Sequence, residues 1–424
     1  MNAHWTESGQ NLTGPSGILE LMDDLGNAIG RDDLCMLGGG NPAAIPELQA
    51  IWRDRMRGML DDDPDGFDRM LNNYDTPIGR PAFIEALAGH LRRRYGWDIG
   101  PGNIAVTNGT QNGLFHLFNA IAEPGRPVLL PLCPEYIGYA DLGLRGPSFV
   151  ARRPAIERRG DHDFKYGIDF DALGLDDSSN QFAAVCLSRP TNPSGNVVTD
   201  AELARLSEQA AAAGPRTVPL VVDNAYGAPF PGIVFSDIEP TWNRNTILSL
   251  SLSKFGLPGT RTGILIADES VIQGMRAANA IANLATGNIG QELVTPLLES
   301  DHITELCREV VRPFYERRAK QADLWLREAM DPALPWRLHA CEGSMFFWLW
   351  CEGLPISSAE LYQRLKARGV LVVPGHYFFF GLGASGADWP HQHECLRIHA
   401  AMPPEITQRG LGIIAEEVKK AYAG

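Results

Sequence analysis

Residues 246–267 read TILSLSLSKFGLPGTRTGILIA, from Thr246 to Ala267. Two short apolar runs, TILSLS and GILIA, enclose a turn rich in glycine and proline, which predicts two strands of a buried sheet. Lys254 ends the first strand and enters the turn. Apolar surroundings withdraw water from an ammonium group and make the amine easier to deprotonate, so Lys254 suits a Schiff base with a carbonyl compound. Ser251, Ser253 and Arg261 flank it with two hydroxyls and a guanidinium, the donors a phosphate dianion requires. The plain alternative is a surface lysine in a loop.

Working outward, the same kind of apolar run recurs as NIAVT (103–107), PVLLPL (127–132), FAAVCLS (182–188) and PLVVD (219–223). Helical patterns lie between them, over Gln111 to Ile121 and Asp200 to Ala212. Strands alternating with helices predict an α/β fold with a mostly parallel sheet covered on both faces. After Glu299 the pattern changes to a long helix over 308–330, strands at MFFWLWC (345–351) and VLVVPG (370–375), and a last helix through IIAEEVKKAY (413–422). This predicts a smaller α+β domain, completed by the first residues of the chain. The expected division is 1–60 as an N-terminal arm and part of the small domain, 61–305 as the large domain, and 306–424 as the C-terminal small domain.

Polar residues cluster at the carboxyl ends of these runs, where open parallel sheets bind ligands. Asp223, ending PLVVD, can hold a pyridinium nitrogen protonated and so make a ring a better electron sink. Tyr226 and Asn192 can donate to a phenolic oxygen of the same ring. Gly109, Thr110 and Gln111 open a helix directly after NIAVT, and the amides and dipole there favour an anion. Neither GxGxxG nor GxxxxGK[ST] is present, so neither a dinucleotide nor a nucleoside triphosphate is indicated. Tyr136 could stack on a flat ring, Arg397 could clamp a carboxylate, and Gly38-Gly-Gly40-Asn-Pro42 would let backbone approach a ligand. Each has an ordinary reading as well: turn former, packed aromatic, structural ion pair, loop.

Composition narrows the class. The chain of 424 residues carries 51 acidic against 37 basic side chains, a net charge of -14, which argues against nucleic acid and anionic membranes as partners. No apolar run approaches a membrane span and the first residues are polar, so a cytoplasmic protein is expected. The seven cysteines are scattered without a CxxC pair, so reduced structural thiols are expected. His391, His393 and Cys395 alternate as if on one face of a strand, but with no fourth ligand in view no metal is expected.

Together these residues are similar to those of a class I aminotransferase of the pyridoxal phosphate (PLP) fold type I superfamily. LGGGNPAAIPE (37–47), NYDTPIGR (73–80), VTNGTQ (106–111), PEYIGYADLGL (134–144), SRPTNPSGNVVTD (188–200), DNAYGAPFPGI (223–233), SLSKFGLPGTR (251–261), LYQRLKARGVLVVPGH (361–376) and WPHQHECLR (389–397) carry the resemblance over essentially the whole chain. Within the family they resemble the branch that moves the amino group of valine to pyruvate. The resemblance implies a seven-stranded, mostly parallel sheet sandwiched by helices in the large domain. It implies that Lys254 bonds the cofactor and shuttles a proton, that Asp223 meets the ring nitrogen, and that Asn192 and Tyr226 meet the phenolic oxygen. Tyr136 would stack on the ring, and Gly109, Thr110, Gln111, Ser251, Ser253 and Arg261 would hold the phosphate. Arg397 would bind the substrate carboxylate, with Asn192 and the backbone around Gly40 beside it. Tyr74 would reach the phosphate of a neighbouring subunit, which implies a homodimer.

Two departures stand out. Arg261 follows the lysine by seven positions, one fewer than in many relatives, and Thr110 stands where many carry glycine or serine. The aromatic run His376 to Phe380 is unusual and could alter side-chain preference. The alternatives are a class I aminotransferase of other specificity, or a PLP-dependent C–S lyase of the same fold. A transcription regulator built on this fold would need a DNA-binding module, for which the residues before the first glycine motif are too few.

Overall fold

The computed structural model describes residues 4–26, 31, 33–176, 181–213 and 217–424. Seven strands form the first sheet in the spatial order Ile104–Thr107, Gly263–Ile266, Thr246–Ser251, Leu220–Asn224, Ala184–Ser188, Val128–Leu130, Phe149–Ala151. All run the same way except Gly263–Ile266, which is antiparallel to both neighbours. The reversal follows from the short Gly/Pro turn after Lys254, because parallel neighbours need a crossover of a dozen or more residues. Leu220, Val221 and Val222 are buried, as are all six residues of Thr246–Ser251. Burial of a strand on both faces is what a continuous apolar run predicts.

The helices fall where the periodicity places them. Thr110–Ile121 buries Leu114, Leu117 and Phe118, and Asp200–Ala212 buries Leu203, Leu206 and Ala210. Thr199 and Glu202 close a reciprocal capping box that starts the second of these helices.

A second sheet of six strands runs Val373–Pro374, Cys395–His399, Phe346–Cys351, Trp336–His339, Asp163–Gly167, Ala155–Arg159. The last two form a hairpin from the middle of the chain, absent from the sequence reading because Glu157, Arg158 and Arg159 carry no apolar signal and are exposed. The N-terminal strand Cys35–Met36 pairs in parallel with Val370–Leu371. The helix Pro46–Asp61 instead sets Trp52 edge-on against Phe255, 5.4 Å between ring centroids, beneath the turn that carries Lys254.

Several expectations are corrected. VLVVPG is two short strands of different sheets, Val370–Leu371 and Val373–Pro374. The last helix begins nine residues earlier than its densest apolar pattern, at Pro404. The long helix is Arg312–Ala329, preceded by a π turn over Cys307–Val311. His391 and His393 do not alternate on a strand with Cys395: they lie in the 3₁₀ turn Pro390–His393, and the strand starts at Cys395.

Candidate active site

One cavity opens at the carboxyl ends of the large sheet's strands and is lined by Gly40, Thr110, Gln111, Tyr136, Asn192, Asp223, Tyr226, Ser251, Ser253, Lys254, Arg261 and Arg397. Residues spread over more than 350 positions thus face one space. Ile18, Leu21, Met22, Ile137, Ser188 and Ala225 complete its wall.

Strand Leu220–Asn224 delivers Asp223, whose carboxylate is buried and held from three directions. Oδ1 accepts from the Ser249 hydroxyl at 2.7 Å and the Ala225 amide at 3.1 Å, and Oδ2 accepts from the Tyr139 hydroxyl at 2.7 Å. Burial raises the Asp223 pKa, while these hydrogen bonds and the Lys254 cation pull it back.

Lys254 sits in the 3₁₀ turn Ser253–Phe255, directly after Thr246–Ser251. Its Nζ donates to the Gly40 carbonyl at 2.5 Å and lies 5.5 Å from the centre of the Tyr226 ring. Burial, with the nearby Arg397 and Arg261 cations, lowers its pKa to about 8. An amine with that pKa is about one-tenth uncharged at pH 7, against under about a thousandth for an ordinary lysine, so a nucleophilic fraction is present near neutral pH.

At the phosphate end, Gly109 adopts φ +87° and caps the helix Thr110–Ile121 without a side chain. A Cβ there would lie 2.2 Å from an Arg261 guanidinium nitrogen, so glycine is required for Arg261 to fold over the helix start. The first-turn amides of Thr110 and Gln111 have no intrahelical acceptor, and with Arg261, Ser251 and Ser253 they surround a place suited to a dianion. The Gln111 side chain is turned to other work. Its Nε2 donates to the Gly138 carbonyl at 2.6 Å, so its backbone amide is what remains for the anion.

Arg397, from strand Cys395–His399, is buried with its guanidinium over the Phe346 ring at 4.2 Å and the Phe378 ring at 5.2 Å. It donates to Asn192 Oδ1 at 2.9 Å and to the Gly38 carbonyl at 2.6 Å, and its Nε is buried without a partner. Burial lowers its pKa to about 10, which leaves it a cation at neutral pH. Because Arg397 occupies the Asn192 oxygen, only the Asn192 amide nitrogen can serve a ligand oxygen, the polarity a phenolate needs.

Tyr74 does not line this cavity: it is 85% exposed. The sequence reading missed Glu135, Tyr139 and Ser188. Glu135 and Tyr139 lie in PEYIGYADLGL beside Tyr136, and a carboxylate between proline and tyrosine at a strand's end was the available signal. The aromatic run also finds its place here. Tyr377 donates to Glu20 at 2.7 Å and packs against Gly17, so it holds the N-terminal helix Gly17–Gly26 beside the cavity. Among the described residues no group of three or more His, Cys, Asp or Glu side chains could hold a metal.

Comparison with known proteins agrees with this geometry. Residues 55–414 match the family model for aminotransferases of class I and II. The chain is 45% identical over 420 residues to valine–pyruvate aminotransferase of Escherichia coli K12, covering 98% of each. A crystal structure of valine-pyruvate aminotransferase from Salmonella typhimurium LT2 superposes with a TM-score of 0.87 at 44% identity, over 96% of this chain and 100% of that one. A putative amino-acid aminotransferase from Psychrobacter arcticum 273-4 gives a TM-score of 0.94 at 42% identity, over 100% of both chains.

Proposed function

The chain belongs to the class I and II aminotransferases, and from that premise we propose that it uses pyridoxal 5'-phosphate to transfer the amino group of L-valine to pyruvate, yielding 3-methyl-2-oxobutanoate and L-alanine. When bound, pyridoxal phosphate supplies an aldehyde that links to amines and a protonated ring that draws electrons from the substrate's α-carbon.

The residues fit that group. Arg261, Ser251, Ser253 and the amides of Thr110 and Gln111 hold its phosphate, at the turn made by Gly109, whose own amide donates to the Thr107 carbonyl at 2.7 Å. Asp223, kept as an acceptor by three donors, holds a proton at the ring nitrogen. Asn192 and Tyr226 donate to its phenolic oxygen, and Tyr136 covers its face. Lys254 takes the proton from the substrate α-carbon as a general base and returns it as an acid. Arg397 binds the substrate carboxylate beside Asn192, with the Gly40 backbone closing over it.

The observation that carries the substrate assignment is the remaining wall. Ile18, Leu21, Met22, Ile137 and Ala225 are apolar, and the cations among the described lining residues are Lys254, Arg261 and Arg397, each already engaged by cofactor or α-carboxylate. No further cation among the described lining residues is offered to an acidic side chain, and a small aliphatic group suits the surface. The 45% identity to a valine–pyruvate aminotransferase points the same way.

Two copies of the chain make the working unit in this reading, with exposed Tyr74 reaching the partner's cofactor phosphate. The place of work is the cytoplasm; among the described residues no helix is long and apolar enough to cross a membrane.

The test is a panel of half reactions on the purified holoenzyme. L-Valine should bleach the cofactor's visible absorbance and pyruvate should restore it, with alanine formed in step. Response only to acidic or aromatic amino acids would overturn the substrate pair, and release of ammonia and pyruvate from a cysteine-type substrate would mark a lyase.

A further inference from the structure

Glu135 is 1% exposed and has no cationic partner among the described residues. An unpaired buried carboxyl is costly unless donors satisfy it. Here three groups do so, and all belong to the cavity wall. Oε1 accepts from the Tyr136 amide at 2.9 Å and pairs closely with the Ser188 hydroxyl, while Oε2 accepts from the Ser188 amide at 2.9 Å. The Glu135 amide in turn donates to the Phe378 carbonyl at 3.0 Å, and Phe378 is the ring beneath Arg397. One side chain thereby joins the turn that presents Tyr136, the strand end that presents Ser188, and the segment supporting Arg397.

From this geometry we propose that Glu135 is a positioning residue for the amino-transfer site: its two carboxyl oxygens fix the Tyr136 backbone and the Ser188 hydroxyl against the cofactor's ring without touching it. This rests on the cofactor assignment made above. Burial pushes the Glu135 carboxyl up to about 8, against the hydrogen bonds from Ser188 and Tyr136. The arrangement serves either protonation state. As carboxylate, Glu135 accepts from all three donors; as carboxylic acid, it turns its proton to the Ser188 oxygen and still accepts from both amides. An amide in its place cannot do this. With the Glu135→Gln oxygen toward Tyr136, its NH₂ confronts the Ser188 N–H; with the oxygen toward Ser188, it confronts the Tyr136 N–H. Either orientation sets donor against donor, and one of the two elements must move.

The Tyr136 carbonyl also accepts from the Tyr139 amide at 3.0 Å, and its ring is set edge-on to Tyr139 at 5.2 Å, so its backbone and its ring move together. Its neighbour Gly138 makes room for it, since a Cβ on Gly138 would lie 2.4 Å from the Tyr136 ring. Displacement of the Tyr136 backbone therefore translates into displacement of the stacking face.

The experiment uses the full chain loaded with pyridoxal phosphate. Dissociation of cofactor from the holoenzyme and the visible circular dichroism of the bound cofactor are compared among wild type, Glu135→Gln, Ser188→Ala and the double variant. The melting temperature is recorded with and without cofactor. Glu135→Gln should weaken cofactor binding at least about tenfold and reduce the dichroism band by more than about half, while the cofactor-free melting temperature stays within a few degrees of wild type. Ser188→Ala should give an intermediate effect, and the double variant should match Glu135→Gln, because Ser188 acts through the same carboxyl. Cofactor affinity and dichroism unchanged within about twofold in Glu135→Gln would overturn the inference. So would an equal loss of melting temperature with and without cofactor, the mark of a purely structural carboxyl. A wild-type chain that binds no pyridoxal phosphate would instead overturn the functional reading itself.

Discussion

The Tyr139 hydroxyl donates to Asp223 Oδ2 over 2.7 Å, from a ring stacked on Phe149 and set edge-on to Tyr136. The turn that carries Tyr136 therefore also steadies the carboxylate proposed to meet the ring nitrogen. Asp223 is raised by burial and drawn down by Tyr139, Ser249 and the Ala225 amide. Removing one donor raises it further. Tyr139→Phe should move the acid limb of the kcat/KM profile to higher pH and lower the neutral-pH value by roughly ten- to a hundredfold, the loss of one hydrogen bond to a charged group at about 1.5–3 kcal/mol. A pH series with valine as donor measures both effects.

Lys254 titrates at about 8 in the cofactor-free chain because burial and two neighbouring cations disfavour its charge. The depressed value means the amine is uncharged above about pH 8 and progressively protonated below it. Uptake of pyridoxal phosphate by cofactor-free protein should therefore slow by about tenfold per pH unit below that point. Stopped-flow absorbance follows it, and borohydride reduction with peptide mapping should place the pyridoxyl group on Lys254. A rate flat between pH 6 and 8 would contradict the assignment.

Arg397→Lys keeps the charge and loses the planar fork. The KM values for valine and pyruvate should both rise at least about tenfold, since the proposed role has one group binding the carboxylate of each. The cofactor's spectrum should stay as in wild type, because none of the groups proposed to meet the cofactor is replaced. Steady-state kinetics beside an absorbance scan distinguishes this from loss of cofactor.

Leu21 belongs to the apolar wall, and Tyr377 holds its helix through Glu20. Leu21→Ala should enlarge the side-chain space and shift the kcat/KM ratio of leucine to valine upward by about tenfold, within the 1–3 kcal/mol that a methylene-sized change in a pocket commands. Tyr377→Phe should raise the KM for valine several-fold without altering the ratio, because the wall is loosened and not reshaped. Competition assays with paired amino acids read the ratio directly.

Six strands of the large sheet were legible because they are buried on both faces and read as unbroken apolar runs; the edge strand Phe149–Ala151, with Val150 only partly buried, was not among the runs read. The hairpin 155–167 was not, since its outer strand is charged and exposed and has no such run. The C-terminal strand pair at 370–374 read as one because nothing in VLVVPG marks the point at which the chain passes from one sheet to the other.

What the sequence by itself determined is the chemistry at each strand end. Lys254 before a glycine-rich turn, Asp223 after three buried apolar residues and Gly109 opening a helix are local arrangements, and local spacing sets where such side chains emerge. Only the tertiary structure decided which distant groups meet them. Tyr139 reaches Asp223 across 84 positions, Glu135 reaches Ser188 across 53, Asn192 reaches Arg397 across 205, and Gly40 reaches Lys254 across 214. Those meetings depend on strand register and on the path of the connecting chain, which residue type and periodicity do not encode at such separations. The same holds for the N-terminal helix, whose Ile18, Leu21 and Met22 come to line the cavity as Gly17 packs against Tyr377 and Ile137, more than a hundred residues away.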